Sequence, residues 1–198
     1  MDKKEIIKSA LDKAMTYSEY RELIRAKRAN GEATGGFTSE AMLNYTDMNE
    51  KRMDKWDKII KVDEEMEKRL ARIEEPEIWL VITEGWCGDA AHIVPVIHKL
   101  AEKNPQVDLR FVLRDEHLDL MDLYLTNGGR SIPVMLRLSA NDLSEKCSWG
   151  PRPAPAQEVF LKGKKGEMPK EEVAKELQLF YGRDRGKTIM EEFKVFFD

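Results

Sequence analysis

The sequence predicts an α/β protein, a layered domain with a central mixed sheet and a helical extension in front of it. Three observations carry this. The continuous apolar, β-rich run from Glu77 to Thr83 has the pattern of a central strand buried on both faces. Strand and helix periods then alternate in the order β-α-β-α-β-β-α, which demands packed layers. Before Pro76, by contrast, the patterned segments have helical spacing. The expected division is residues 1–75 for a helical extension packed on the core and 76–198 for the α/β domain.

In the extension, Ile7, Leu11, Ala14, Tyr17 and Ile24 recur at helical steps, with a shift near Tyr20–Leu23. The glycines between Gly31 and Gly36 break the pattern as a turn. Thr38 or Ser39 offers an N-cap. Met42, Tyr45, Met53, Trp56, Ile60, Met66, Leu70 and Ile73 then predict helix over roughly thirty-five residues. A methionine and aromatic stripe of this kind reads as core rather than as a cofactor site, and Pro76 ends it.

In the domain, a helix is expected over Asp89–Lys103 with Pro95 inside it, then a strand over Gln106–Leu113. A helix over Glu116–Leu125 is closed by Asn127-Gly128-Gly129. Strands Pro133–Leu138 and Leu143–Ser148 form a hairpin around Ser139–Asp142. Trp149–Pro155 reads as irregular, and helices over Glu171–Tyr181 and Thr188–Phe197 close the chain.

Composition narrows the function. Of 198 residues, 41% are hydrophobic and 35% charged, a globular balance with a highly charged surface. A net charge of −4 gives no basic face for nucleic acid. Lys162, Lys164 and Lys165, followed by Glu167, read as a solvated loop. The apolar run Ile78–Ile82 falls far short of the ~20 residues a bilayer requires, so no membrane partner is expected. The opening Met1–Glu5 has no apolar signal region, which makes the reducing cytoplasm the expected compartment. Two cysteines, Cys87 and Cys147, make neither a disulfide scaffold nor a zinc-ligand spacing, so no metal and no cofactor is expected.

Cys87 carries the candidate chemistry. It follows a buried strand and opens a helix, where free backbone N–H groups and the helix dipole favour thiolate. The usual thiol pKa near 8.5 can fall below about 7.5 in such places. Gly88 permits the tight turn. Asp89 has two readings: repulsion of a thiolate, or complementation of the helix dipole.

The loop Trp86-Cys87-Gly88-Asp89-Ala90 between strand and helix resembles the thioredoxin active site. So do Pro95, inside the following helix, and the run Gly129-Arg130-Ser131-Ile132-Pro133-Val134, which looks like that family's cis-proline loop. The resemblance spans Ile78 to about Gly150 and implies a thioredoxin-like three-layer fold, with a cis Ile132–Pro133 bond beside Cys87. Two positions depart from the family. Ala90 stands where the second cysteine would be, and Val81 where the acid buried under the site would be. A lone Cys87 can form a mixed disulfide but must wait for another thiol to release it.

Cys147 is the candidate resolving thiol. A tight Ser139–Asp142 turn would pair Leu138 with Leu143 and Val134 with Cys147, at the Cys87 end of the sheet and roughly 10 Å from it. That is beyond disulfide reach without movement. The same register brings Trp149 and Arg152 to the site, where Trp149 could wall a groove and Arg152, with Arg130, either offsets the Asp89 charge or does no more than stay hydrated as a surface arginine. His92 is expected to be partly exposed, one turn into the helix.

Two functions follow. The favoured one is a monothiol redox protein, exchanging disulfides through Cys87 with proteins or low-molecular-weight thiols. The other is a redox-inactive binding module, holding peptides or protein partners in the groove between the Trp86 loop and Ile132-Pro133. The helical extension suits partner binding or homo-oligomer formation.

Overall fold

A computed structural model describes residues 2–197. Four helices form the N-terminal part: α1 (Lys3–Leu11), α2 (Tyr17–Ala29), α3 (Glu40–Ile59) and α4 (Glu64–Leu70). Local chemistry sets their boundaries. Asp2 with Glu5, and Thr16 with Glu19, form capping boxes, and Ser39 and Asp63 cap α3 and α4. The expected long second helix is therefore two helices, broken where Ile60 adopts an extended conformation and Asp63 restarts the chain. Met15, in the gap between α1 and α2, makes two backbone hydrogen bonds to Phe111 at 2.8 and 2.7 Å. That single bridge covers part of a sheet edge.

The sheet has four strands: β1 (Glu77–Thr83), β2 (Val107–Leu113), β3 (Val134–Ser139) and β4 (Glu145–Trp149), in spatial order β2-β1-β3-β4. β1 runs parallel to β2 and antiparallel to β3, so the sheet is mixed. Trp79, Leu80, Val81 and Ile82 are all fully buried, as helical cover on both faces requires. Helix α5 (Ala90–Ala101) follows β1 and continues through Pro95. A short helix α6 (Leu118–Met121) follows β2, and three helices close the chain: α7 (Ala154–Lys164), α8 (Lys170–Asp184) and α9 (Lys187–Lys194). Helix α3 packs on α5, and α7 on α8. The architecture is α/β, thioredoxin-like, with N-terminal helices added.

Two expectations are corrected. Trp149–Pro155 is not wholly irregular: α7 starts at Ala154, with Pro153 as N-cap and Pro155 in the first turn, where a missing N–H costs nothing. The lysines at 162 and 164 lie in its last turn. The β3–β4 register also differs. Leu143 takes a left-handed conformation (φ 60°), and the loop closes through Ser139 N–H to Ser144 O at 2.9 Å. The longer loop delays β4, so Cys147 pairs with Arg137 rather than Val134, and Met135 pairs with Trp149.

Candidate active site

The site is built at the junction of β1 and α5. Cys87 is 8% exposed and its Sγ–H donates to Ile132 O at 3.4 Å. The Ile132–Pro133 bond is cis. The chain beyond β4 passes close by: a Cβ on Gly150 (φ 136°) would lie 2.3 Å from Pro133 O, so only glycine fits there. This close passage delivers Arg152, whose Nη2 pairs with Asp89 Oδ2 at 2.6 Å. Tyr181 Oη, from α8, donates to Asp89 Oδ1 at 2.8 Å. Asp89 makes no capping bond to α5, so its carboxylate serves Arg152 and Tyr181 instead.

This electrostatic setting disfavours the thiolate. Burial, then the Asp89 carboxylate, push the Cys87 thiol up to about 12, against weaker pulls from the Ala90 and Asp89 amides and from Arg152. The helix start alone would favour thiolate, and burial and Asp89 work against it. The helix amides are present, but desolvation outweighs them, and Arg152 is engaged by Asp89.

The site has walls that sequence reasoning missed. A cleft of about 430 Å³ opens over Cys87, bounded by the Trp86–Asp89 loop, by Met42, Tyr45 and Arg52 of α3, and by Arg152. Ala174, Leu177 and Gln178 of α8 complete it. The Met42–Tyr45 end of the expected core stripe is cleft wall, and only the Met53–Ile73 part is core. His92 ties the two walls together and is buried, not partly exposed. Trp56 Nε1–H donates to His92 Nδ1 at 2.7 Å, which leaves the proton on Nε2, 3.0 Å from Gln178 Oε1. Tyr181 stacks on the ring at 4.5 Å. Burial lowers the His92 pKa to about 4, so the imidazole is neutral.

Other predicted site residues are elsewhere. Arg130 is engaged with Asp122, at 2.6 and 2.8 Å, and gives Cys87 no charge. Trp149 forms no groove wall: it packs edge-on against Phe193 at 5.1 Å, and its Nε1–H donates to Glu192 Oε2 at 2.8 Å. Cys147 is half-buried, a free thiol beside Arg137, three residues further along β3 than Val134. It is thus displaced from the Cys87 end. Ala90 is buried in the first turn of α5, and Val81 is buried in the core. The buried carboxyl near the site is instead Glu84, at the end of β1, which accepts from Asp115 N–H at 3.0 Å. Glu84 Oε2 has no hydrogen-bond partner among the described residues. Among the described residues, no three His, Cys, Asp or Glu side chains converge as a metal site, and no helix is long and apolar enough to cross a membrane.

A strand–Cys–helix junction beside a cis-proline loop, on a mixed sheet, defines a thioredoxin-like protein. A thioredoxin family profile matches residues 35–173, and the chain belongs to that family. Among solved structures, an HIV epitope scaffold of the 4E10 series superposes with a TM-score of 0.51 at 16% identity, covering 92% of this chain and 97% of the scaffold. A Pseudomonas aeruginosa protein of unknown function gives a TM-score of 0.49 at 16% identity, covering 90% of this chain and 98% of that one. The first of these likenesses concerns the fold alone. No curated protein matches the chain.

Proposed function

We propose that this chain is a thioredoxin-fold binding module that does not cycle a disulfide and that seats its ligand in the cleft over Cys87. The observation that carries this reading is the setting of the thiol. Cys87 is buried, its Sγ–H hydrogen-bonds to Ile132 O, and its cationic neighbour Arg152 is paired with Asp89. A protonated thiol is a poor nucleophile. Ala90 provides no second thiol, and Cys147 is carried away by the β3–β4 register. Walls from α3 and α8 confine the opening, which favours a compact ligand or one inserted side chain over a length of extended peptide.

Monothiol exchange through Cys87 is the second reading. The amides of Asp89 and Ala90, which pull the thiol pKa down, favour it. An insulin-reduction assay separates the two. With dithiothreitol as reductant, the wild-type chain is expected to give the rate of dithiothreitol alone, and Cys87→Ser the same rate. Acceleration by the wild type that disappears in Cys87→Ser would contradict the binding reading.

A further inference from the structure

The cleft has an uncompensated positive end. Arg52 is half-buried in its wall, and among the described residues no carboxylate pairs with it. Its neighbours differ: Arg21 is held by Glu50, Asp54 and Asp57, Arg28 by Asp47, and Arg152 by Asp89. Burial without a counter-ion lowers the Arg52 pKa, the opposite of what Arg21 and Arg28 experience.

The guanidinium is also held in place. Asn49 is fully buried, and its Nδ2–H donates to Gly85 O at 3.0 Å, just before Trp86. Its Oδ1 accepts from Arg52 Nη1 at 2.8 Å. Arg52 Nη1 consequently lies 4.0 Å from where a Gly88 Cβ would be, against the active-site loop. Two further N–H donors on cleft-wall residues, Trp86 Nε1 and Arg152 Nε, are buried without an acceptor among the described residues. Between these polar groups the wall is apolar, with Met42, Tyr45 and Leu177.

An unpaired guanidinium in a partly desolvated wall gains from a planar anion that its fork can hold with two hydrogen bonds. The charge it can balance is a single one, because the cleft's other guanidinium, Arg152, is already paired with Asp89. The volume, about 430 Å³, is that of an ordinary small-molecule site.

Resting on the binding reading above, we infer that the cleft takes a small monocarboxylate with an apolar body. Its carboxylate is held by Arg52, and its body lies against Tyr45, Trp86 and Leu177. The test uses the full chain labelled with ¹⁵N and follows the Trp86 indole N–H while octanoate or octanamide is added. Octanoate is expected to shift that signal saturably, and octanamide to bind roughly tenfold more weakly or worse, the scale of one charge-assisted bond. Arg52→Gln is expected to remove the preference for octanoate, and Arg52→Lys to keep part of it. Among the described residues Arg52 hydrogen-bonds only to Asn49 of its own helix, so these variants leave the packing of α3 in place. Equal binding of the amide, an unchanged preference in Arg52→Gln, or no saturable shift with octanoate would each overturn the inference. The underlying reading fails differently: Cys87-dependent insulin reduction would sink it even if octanoate were preferred.

Discussion

Replacing Glu77 by alanine is expected to lower the stability of the fold by about 3–5 kcal/mol, because it leaves a buried guanidinium unpaired. Glu77 opens β1 and is 1% exposed. Arg137 Nη2 donates to its Oε1 at 2.7 Å, Lys146 Nζ to the same oxygen at 2.7 Å, and Trp79 Nε1 to Oε2 at 3.2 Å. Burial alone would raise the carboxyl pKa, but the bonds from Arg137, Lys146 and Trp79 prevail and hold it below the ordinary range. Arg137 also donates to Phe196 O and lies over the Phe197 ring at 4.4 Å, so the cluster anchors the end of the chain to the sheet. In urea, the Glu77→Ala midpoint is expected to fall with the slope unchanged. A loss below about 1 kcal/mol would mean that the cluster is not a buried pair in the sense argued.

Glu84→Gln has the opposite sign at neutral and alkaline pH. Burial raises the Glu84 pKa to about 7, chiefly by desolvation, despite the bonds from Thr34 and the Asp115 amide. A carboxyl whose folded pKa is raised leaves stability intact below its unfolded value. Stability then falls as pH rises from about 4.5 to about 7, because the unfolded chain releases its proton first. The full effect is about 3 kcal/mol at pH 8. His92 works the other way. Its folded pKa of about 4 lies below the unfolded value, so its contribution is complete above about pH 6.5 and is lost as pH falls toward 4. The two slopes offset each other between about pH 4.5 and 6.5. Glu84→Gln is thus expected to raise Tm at pH 8 and to make it drop more steeply on acidification, where His92 no longer has a counterweight. Thermal unfolding of both proteins from pH 4.5 to 8 checks this, and parallel Tm profiles would contradict it.

The sequence exposes the fold through features with local causes. The apolar run of β1, the Cys87 loop, Pro95 and Pro133 each impose their geometry on nearby backbone. The meeting of Arg152 with Asp89 stays open in the sequence: the Val134–Cys147 register that would place it there does not form, and it comes about because the chain after β4 passes Pro133 closely at Gly150. Features that depend on distant packing were hidden. The hairpin register hangs on a left-handed Leu143, which no residue preference signals. Helix α7 is masked by Pro153 and Pro155, which read as breakers unless the helix start is already known. In a sequence, Arg52 is one more charge on a charged helix. It becomes distinctive only when Asn49 docks on Gly85 and brings it to the loop. The thiol shows the same limit. Helix position argues for thiolate, whereas the burial of Cys87 and the carboxylate of Asp89, which depend on packing, work against it.

That last point permits a direct measurement, the thiolate absorbance of the wild-type chain across pH, with Cys87→Ser subtracted to isolate Cys87 from Cys147. The expected result is no Cys87 thiolate below about pH 10, in line with a thiol pushed up to about 12. A Cys87 titration below about pH 7.5 would contradict the account, for it would mean an activated nucleophile in the cleft.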